Sequence, residues 1–233
     1  MLEGIAWVSI GLALASVVII AVDEMRNPQK MGVMNVVWPA TALYLPVVTV
    51  WWYWRVGRRM VQGAPEMMGE SGHGSITMDH DGGAATWAQS ALATSHCGAG
   101  CALADLAMEY LLFALGVTVA GSALLASFVW DFVAAWSLGI AFQYFTIQPM
   151  RHLSVRDGLM AAIKADTLSI TAFQVGMYGW MVLMHFVLFP MAHVEPNRAA
   201  YWLMMQVAMV CGFLTSLPMN RWLIMLGWKE KMG

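Results

Sequence analysis

Residues 4–22 read GIAWVSIGLALASVVIIAV, a run without a single charge. A helix needs roughly 20 consecutive apolar residues to cross the hydrocarbon core of a bilayer. No other feature constrains the fold so tightly. Comparable runs follow at 32–54, 92–118, 122–146, 167–189 and 199–217. The charged fraction is 11% and the hydrophobic fraction 60%, whereas soluble domains carry about 25% charged residues. A chain of this length has too little interior to hide so much apolar surface from water. The expected fold is all-α: a polytopic membrane helical bundle of six transmembrane helices, one membrane domain over residues 1–233.

The connections between the runs refine this. Pro39 and Pro46 lie inside the second run, which predicts a kink, and WWYW at 51–54 reads as an interfacial aromatic cluster. Residues 55–85 lack periodicity and are rich in Gly and polar groups, which predicts one long flexible loop. Gly121 and Ser122 predict a tight connection. Pro149 is expected to end the fourth span. Residues 148–166 read as an amphipathic interfacial helix with Ser154 as N-cap, and the tail NRWLIMLGWKEKMG reads the same way. Six spans would place both ends on one side. That side would carry Arg55, Arg58, Arg59, Arg151, Arg156, Lys164, Arg221, Lys229 and Lys231, against Arg26, Lys30 and Arg198 on the other. The excess of Lys and Arg predicts cytoplasmic N and C termini. The first run has no basic segment before it, only Glu3, so no cleavable signal peptide is expected. A net charge of −2 gives no argument for nucleic acid as a partner. Membrane lipid is the expected surrounding.

The third run opens with polar groups that a bilayer disfavours: SHCGAGCALADLAMEY at 95–110. On a helix, Cys97, Cys101, Asp105, Met108 and Leu112 fall within one stripe, with Glu109 at its edge. Gly98 and Gly100 permit close approach of another backbone. Thiolates and thioethers suit Cu(I), and His96 would join if the helix starts irregularly. The stripe therefore predicts a metal site of His96, Cys97, Cys101, Asp105, Met108 and Glu109, holding copper or, alternatively, zinc. Its carboxylates also suit a cation path or a proton relay, since ionisable groups inside spans are functional by default. The plain alternative is packing, because Cys is often buried as a small hydrophobe.

Other soft ligands accompany the stripe. The long loop holds Met60, Met67, Met68, His73, Met78 and His80, and Met150 and His152 follow Pro149. His73, His80 and His152 are further candidate ligands. Met177, Met181, Met184 and His185 share a face of the fifth span, and Met204, Met205 and Met209 lie in the sixth, for which ordinary Met packing is the preferred reading. Met191 and His193 sit just beyond the fifth span. Lys164 and Asp166 read as structural: a snorkelling lysine and a helix cap.

The element His96-Cys97-x-x-Gly100-Cys101 with Asp105, together with AIKADTLSITAFQVGMYGWM at 162–181, resembles the domain of unknown function 4396 family of bacterial integral membrane proteins. The resemblance covers roughly residues 84–220. It implies a helical fold in a bacterial cytoplasmic (inner) membrane, multi-pass, and brings no particular activity.

Three functions remain. The first is binding or translocation of a soft transition metal, most simply copper, by a homo-oligomer and with a metallochaperone as partner. The absence of G-x-x-x-x-G-K-[ST] argues against ATP-driven pumping by this chain. The second is a non-catalytic helical subunit of a larger membrane complex. The third is a thiol redox protein using Cys97 and Cys101, whose α-carbons would lie near the outer limit for a disulfide. Cys97, Cys101 and Cys211 do not read as a disulfide framework, and no C-x-x-C-H haem attachment sequence occurs.

Overall fold

The computed structural model describes residues 2–29, 31–58, 86–151, 154–189 and 195–229. Five helices are long and apolar enough to cross a membrane. We label them with the shorter ones in chain order: α1 Leu2–Arg26, α2 Met34–Ala42, α3 Pro46–Trp52, α4 Trp87–Leu115, α5 Ala123–Arg151, α6 Val155–Leu183 and α7 Ala199–Met225. One π turn, Tyr53–Gly57, extends α3, and another, Met184–Leu188, extends α6.

The helix limits follow from local chemistry. Thr86 starts α4 with a reciprocal capping box: the Gln89 amide donates to Thr86 Oγ1 at 3.2 Å, and the Thr86 amide donates to Gln89 Oε1 at 3.1 Å. Gly116, at φ 63°, closes its C-terminus in the left-handed region. Ala120 (φ 51°) and Gly121 (φ 77°) then make the tight turn expected before α5. Ser154 caps α6 as predicted, accepting from the Asp157 amide at 3.2 Å. The expected interfacial helix 148–166 is not separate. Its second half is the first part of α6, which runs unbroken from Val155 because nothing between Ser154 and Leu183 interrupts it. Pro149 does not end the fourth helix, which runs on to Arg151. Of the expected tail helix, residues 220–225 are the end of α7, 226–229 form a turn, and 230–233 lie outside the described residues.

The second run is not one long helix but two short ones. Leu45, before Pro46, leaves the helical region at φ −127° and ψ 60°, as residues preceding proline tend to do. The chain folds back there into a re-entrant hairpin. Trp38 of α2 packs edge-on against Trp52 and Tyr53, with ring centroids 5.4 and 5.6 Å apart. Tyr53 donates to Asp23 Oδ2 at 2.8 Å, and Arg58 pairs with Asp23 at 3.1 Å, so the hairpin returns to the end of α1 where it began. Its tip, Leu43–Leu45, lies inside the bundle, where Gln206 donates to the Leu43 carbonyl at 2.8 Å. Non-helical backbone at this depth is tolerated because protein surrounds it.

Among the described residues, five candidate spans and a folded-back hairpin thus stand where the sequence predicts six spans. Ser9, near the start of α1, donates to Gln206, near the start of α7, at 2.6 Å. These two helices are therefore parallel. The start of α1 and the segment after α7 stand at opposite ends of the bundle. Arg26, Arg55, Arg58, Arg151, Arg156, Lys164, Arg221 and Lys229 belong to one end, the basic end, and Arg198 alone among the described residues belongs to the other. Large apolar side chains such as Trp7, Leu14, Val47, Val175 and Phe186 face outward, as they must where lipid is the solvent.

Candidate functional site

Helix α4 runs through the middle of the bundle, and its stripe is buried. Cys97, Cys101 and Asp105 are fully buried, Glu109 is 4% exposed and Leu112 7%. Close helix approach makes this possible. A Cβ on Gly100 would touch the Gly139 backbone of α5 at 3.4 Å, and one on Gly98 would run into the Tyr44 hydroxyl at the hairpin tip. From Cys97 to Glu109 the stripe rises about 18 Å at 1.5 Å per residue.

At the basic end of the stripe stands a dense polar cluster around Cys97. Its thiol donates to Asp166 Oδ1 at 2.9 Å and lies 2.9 Å from Ser169 Oγ. The Lys229 ammonium donates to Cys97 Sγ at 2.7 Å and to Asp166 Oδ1 at 2.8 Å. The side chains of Lys229 and Asp166 have no exposed surface. Burial alone would push the Lys229 ammonium down. Asp166 and then Cys97 outweigh this and hold it above the ordinary lysine value. Asn220 of α7 closes the cluster: it accepts from Ser169 at 2.9 Å and donates to Thr94 at 3.1 Å and to the Ser216 carbonyl at 3.0 Å.

One turn deeper, Cys101 lies in the same buried cluster as Cys97, Met177, Met181, Met184, Met204, Met205 and Met209. Three helices thus bring two thiols and six thioethers into one core. Both cysteines are free. Deeper still, Gln174 of α6 faces Asp105, yet no hydrogen bond closes between them: both Asp105 oxygens and both ends of the Gln174 amide lack partners among the described residues. Glu109 accepts from Ser127 at 3.1 Å, with Asp131 and Tyr201 beside it. A cavity of about 380 Å³ reaches Glu109, Ser127 and Tyr201 from the end opposite the basic one.

The predicted ligands divide accordingly. Cys97, Cys101, Asp105 and Glu109 share the buried face. His96 does not join them: its ring packs edge-on against Phe142 at a centroid distance of 6.0 Å, and neither nitrogen has a partner among the described residues. The helix starts regularly at Trp87, so the irregular start that would have turned His96 towards the cysteines is absent. Met108 is half-buried and outside the sulfur cluster. His73, His80, His152 and His193 lie outside the described residues. Among the described residues, no three His, Cys, Asp or Glu side chains stand close enough to share a metal ion.

Asp166, Ser169, Asn220 and Lys229 were not anticipated as site residues. Asp166 and Ser169 sit three apart and so share a helix face, a signal the sequence does hold. Lys229 carries none, because only the turn after α7 brings it to Cys97. No curated protein and no solved structure matches the chain. The family described as a domain of unknown function (DUF4396) matches residues 86–229, from the cap of α4 to the lysine at Cys97, and the chain belongs to that family.

Proposed function

We propose that this protein carries a soft monovalent cation, copper(I), along the buried face of α4. The observation that supports it best is the set of groups gathered on that face: two thiols towards the basic end, carboxylates deeper, and six thioethers of α6 and α7 in the same core, of which Met181 and Met184 stand with Glu109 at the cavity that opens from the far end. Cu(I) takes few ligands and prefers sulfur, so two thiols and neighbouring thioethers suit it without a cluster of His and carboxylates. Asp105 and Glu109 would then lower the cost of a positive charge deep in the bundle. The hairpin tip beside Gly98 places irregular backbone next to that route, a use of such backbone seen where it lines a pathway.

The charge asymmetry between the ends supports an orientation within this reading. The basic end faces the cytoplasm, which puts Cys97 on the cytoplasmic side and the Glu109 cavity on the other. A bacterial inner membrane is the setting this implies.

The test is metal content. Protein purified with little chelator and loaded with Cu(I) is expected to retain about one copper per chain by mass spectrometry, as a two-sulfur site requires. A folded Cys97→Ser/Cys101→Ser double variant is expected to lose it. No copper in the wild-type protein, or equal copper in the double variant, would sink the proposal. Stoichiometric co-purifying chains without metal would favour the complex-subunit reading instead.

A further inference from the structure

Every hydrogen-bonding group that meets the Lys229 ammonium is an acceptor: Asp166 Oδ1 at 2.8 Å, Cys97 Sγ at 2.7 Å and Ser169 Oγ at 3.5 Å. The second shell holds them that way. Asn220 spends its amide hydrogens on Thr94 and Ser216, leaving its oxygen to accept from Ser169. Asp166 keeps its other oxygen, Oδ2, without a partner among the described residues. Such a set recognises a desolvated positive charge.

The occupant arrives on a built tether. Gly227, at φ 68°, reverses the chain after α7. The Trp228 and Lys229 amides donate to the Leu223 carbonyl at 3.0 and 3.3 Å, and Lys164 lies 4.3 Å over the Trp228 ring. This turn folds the lysine back into the bundle at the entrance to the stripe.

We infer that Lys229 is the resident cation at Cys97, Asp166 and Ser169, and that it is displaced when a soft monovalent metal ion binds the thiols of Cys97 and Cys101. The inference rests on the copper reading and adds its regulation. On loading, each thiol loses its proton to solvent, its sulfur forms a bond to the metal, and the ammonium leaves with its tether. No electron transfer is involved. Asp166 remains beside the metal as its counter-charge. The ion that enters must compete with a tethered one, so the apparent affinity falls by the fraction of molecules in which Lys229 is displaced.

The experiment is Ag(I) titration of full-length protein in detergent, in a Cys211→Ser background that keeps Cys97 and Cys101, with Cys97→Ser as the blank. Lys229→Gln removes the competitor's charge. Gly227→Ala leaves every pocket residue in place and strains only the turn, since a Cβ there meets nothing within 4 Å. If displacement exposes a site open in about a tenth of molecules, both variants bind Ag(I) at Cys97 about tenfold more tightly than the parent. Alkylation of Cys97 by N-ethylmaleimide is expected to speed up by a similar factor. A lysine that merely ties down the C-terminal segment would lower the melting temperature and leave Ag(I) affinity unchanged. Unchanged affinity in both variants overturns the inference while leaving the copper reading standing. No Ag(I) binding at Cys97 in any form overturns the site and the copper reading together.

Discussion

At the residue scale, the buried polar groups differ in how well they are satisfied. Asn220 is well connected, bonded to Thr94, Ser169 and Ser216. Truncating it leaves Thr94 and Ser169 short of partners in a water-free place, and each orphaned buried group costs about 1–3 kcal/mol. Asn220→Ala is expected to lower the melting temperature of the detergent-solubilised protein by several degrees and to loosen Lys229 from Cys97. An unchanged melting curve would show that water or a shifted side chain replaces those bonds. The carboxylate end is different. Asp105 and Gln174 face each other without a hydrogen bond among the described residues, so this pair adds less to the hold between α4 and α6 than the Cys97 cluster does. The α4 stripe was legible from spacing alone, because Cys97, Cys101 and Asp105 repeat at helical intervals. The Cys97 cluster was not, because Asp166 resembles an ordinary helix cap and Lys229 is more than a hundred residues away in sequence.

At the element scale, small residues set the distance between α6 and α7. A Cβ on Gly212 would stand 2.7 Å from the Phe173 carbonyl oxygen, and one on Gly176 would stand 2.7 Å from the Cys211 carbonyl oxygen. These are backbone atoms on the facing helix, so relief requires the helices to part. Gly212→Ala is expected to destabilise by about 1–3 kcal/mol, the usual cost of overpacking, and to disturb the Ser169–Asn220 bond that crosses the same interface. Gly179→Ala, whose Cβ would meet nothing within 4 Å, is the control and should melt like the parent. Equal stability of the two variants would mean that the helices are free to separate. The hairpin shows the limit of reading elements from apolar length. Residues 32–54 satisfy the length of a span, and two prolines suggest only a kink. The reversal comes from tertiary partners: Asp23 holding Tyr53 and Arg58, and Gln206 holding the tip. None of these is local in sequence.

At the scale of the whole molecule, one element changes a global property. Six crossings return the chain to its starting side, whereas five crossings and a hairpin do not. The basic residues favour the second arrangement on physical grounds. With the hairpin folded back, Arg26 joins the basic end, and the described Lys and Arg residues divide eight to one rather than seven to two. Since excess Lys and Arg mark the cytoplasmic side, the start of α1 is expected outside and the segment after α7 inside. A single cysteine placed before α1 and another placed after Lys229, each in a cysteine-free version of the chain, give the measurement. In intact cells a membrane-impermeant maleimide is expected to label the first and spare the second. Inverted membrane vesicles should reverse the pattern. Labelling of both positions from the same side would restore the sixth crossing and remove the re-entrant hairpin. It would also leave the Asp23–Arg58 contact without an explanation, because a crossing segment carries Arg58 to the far end of α1, about 35 Å away over its length.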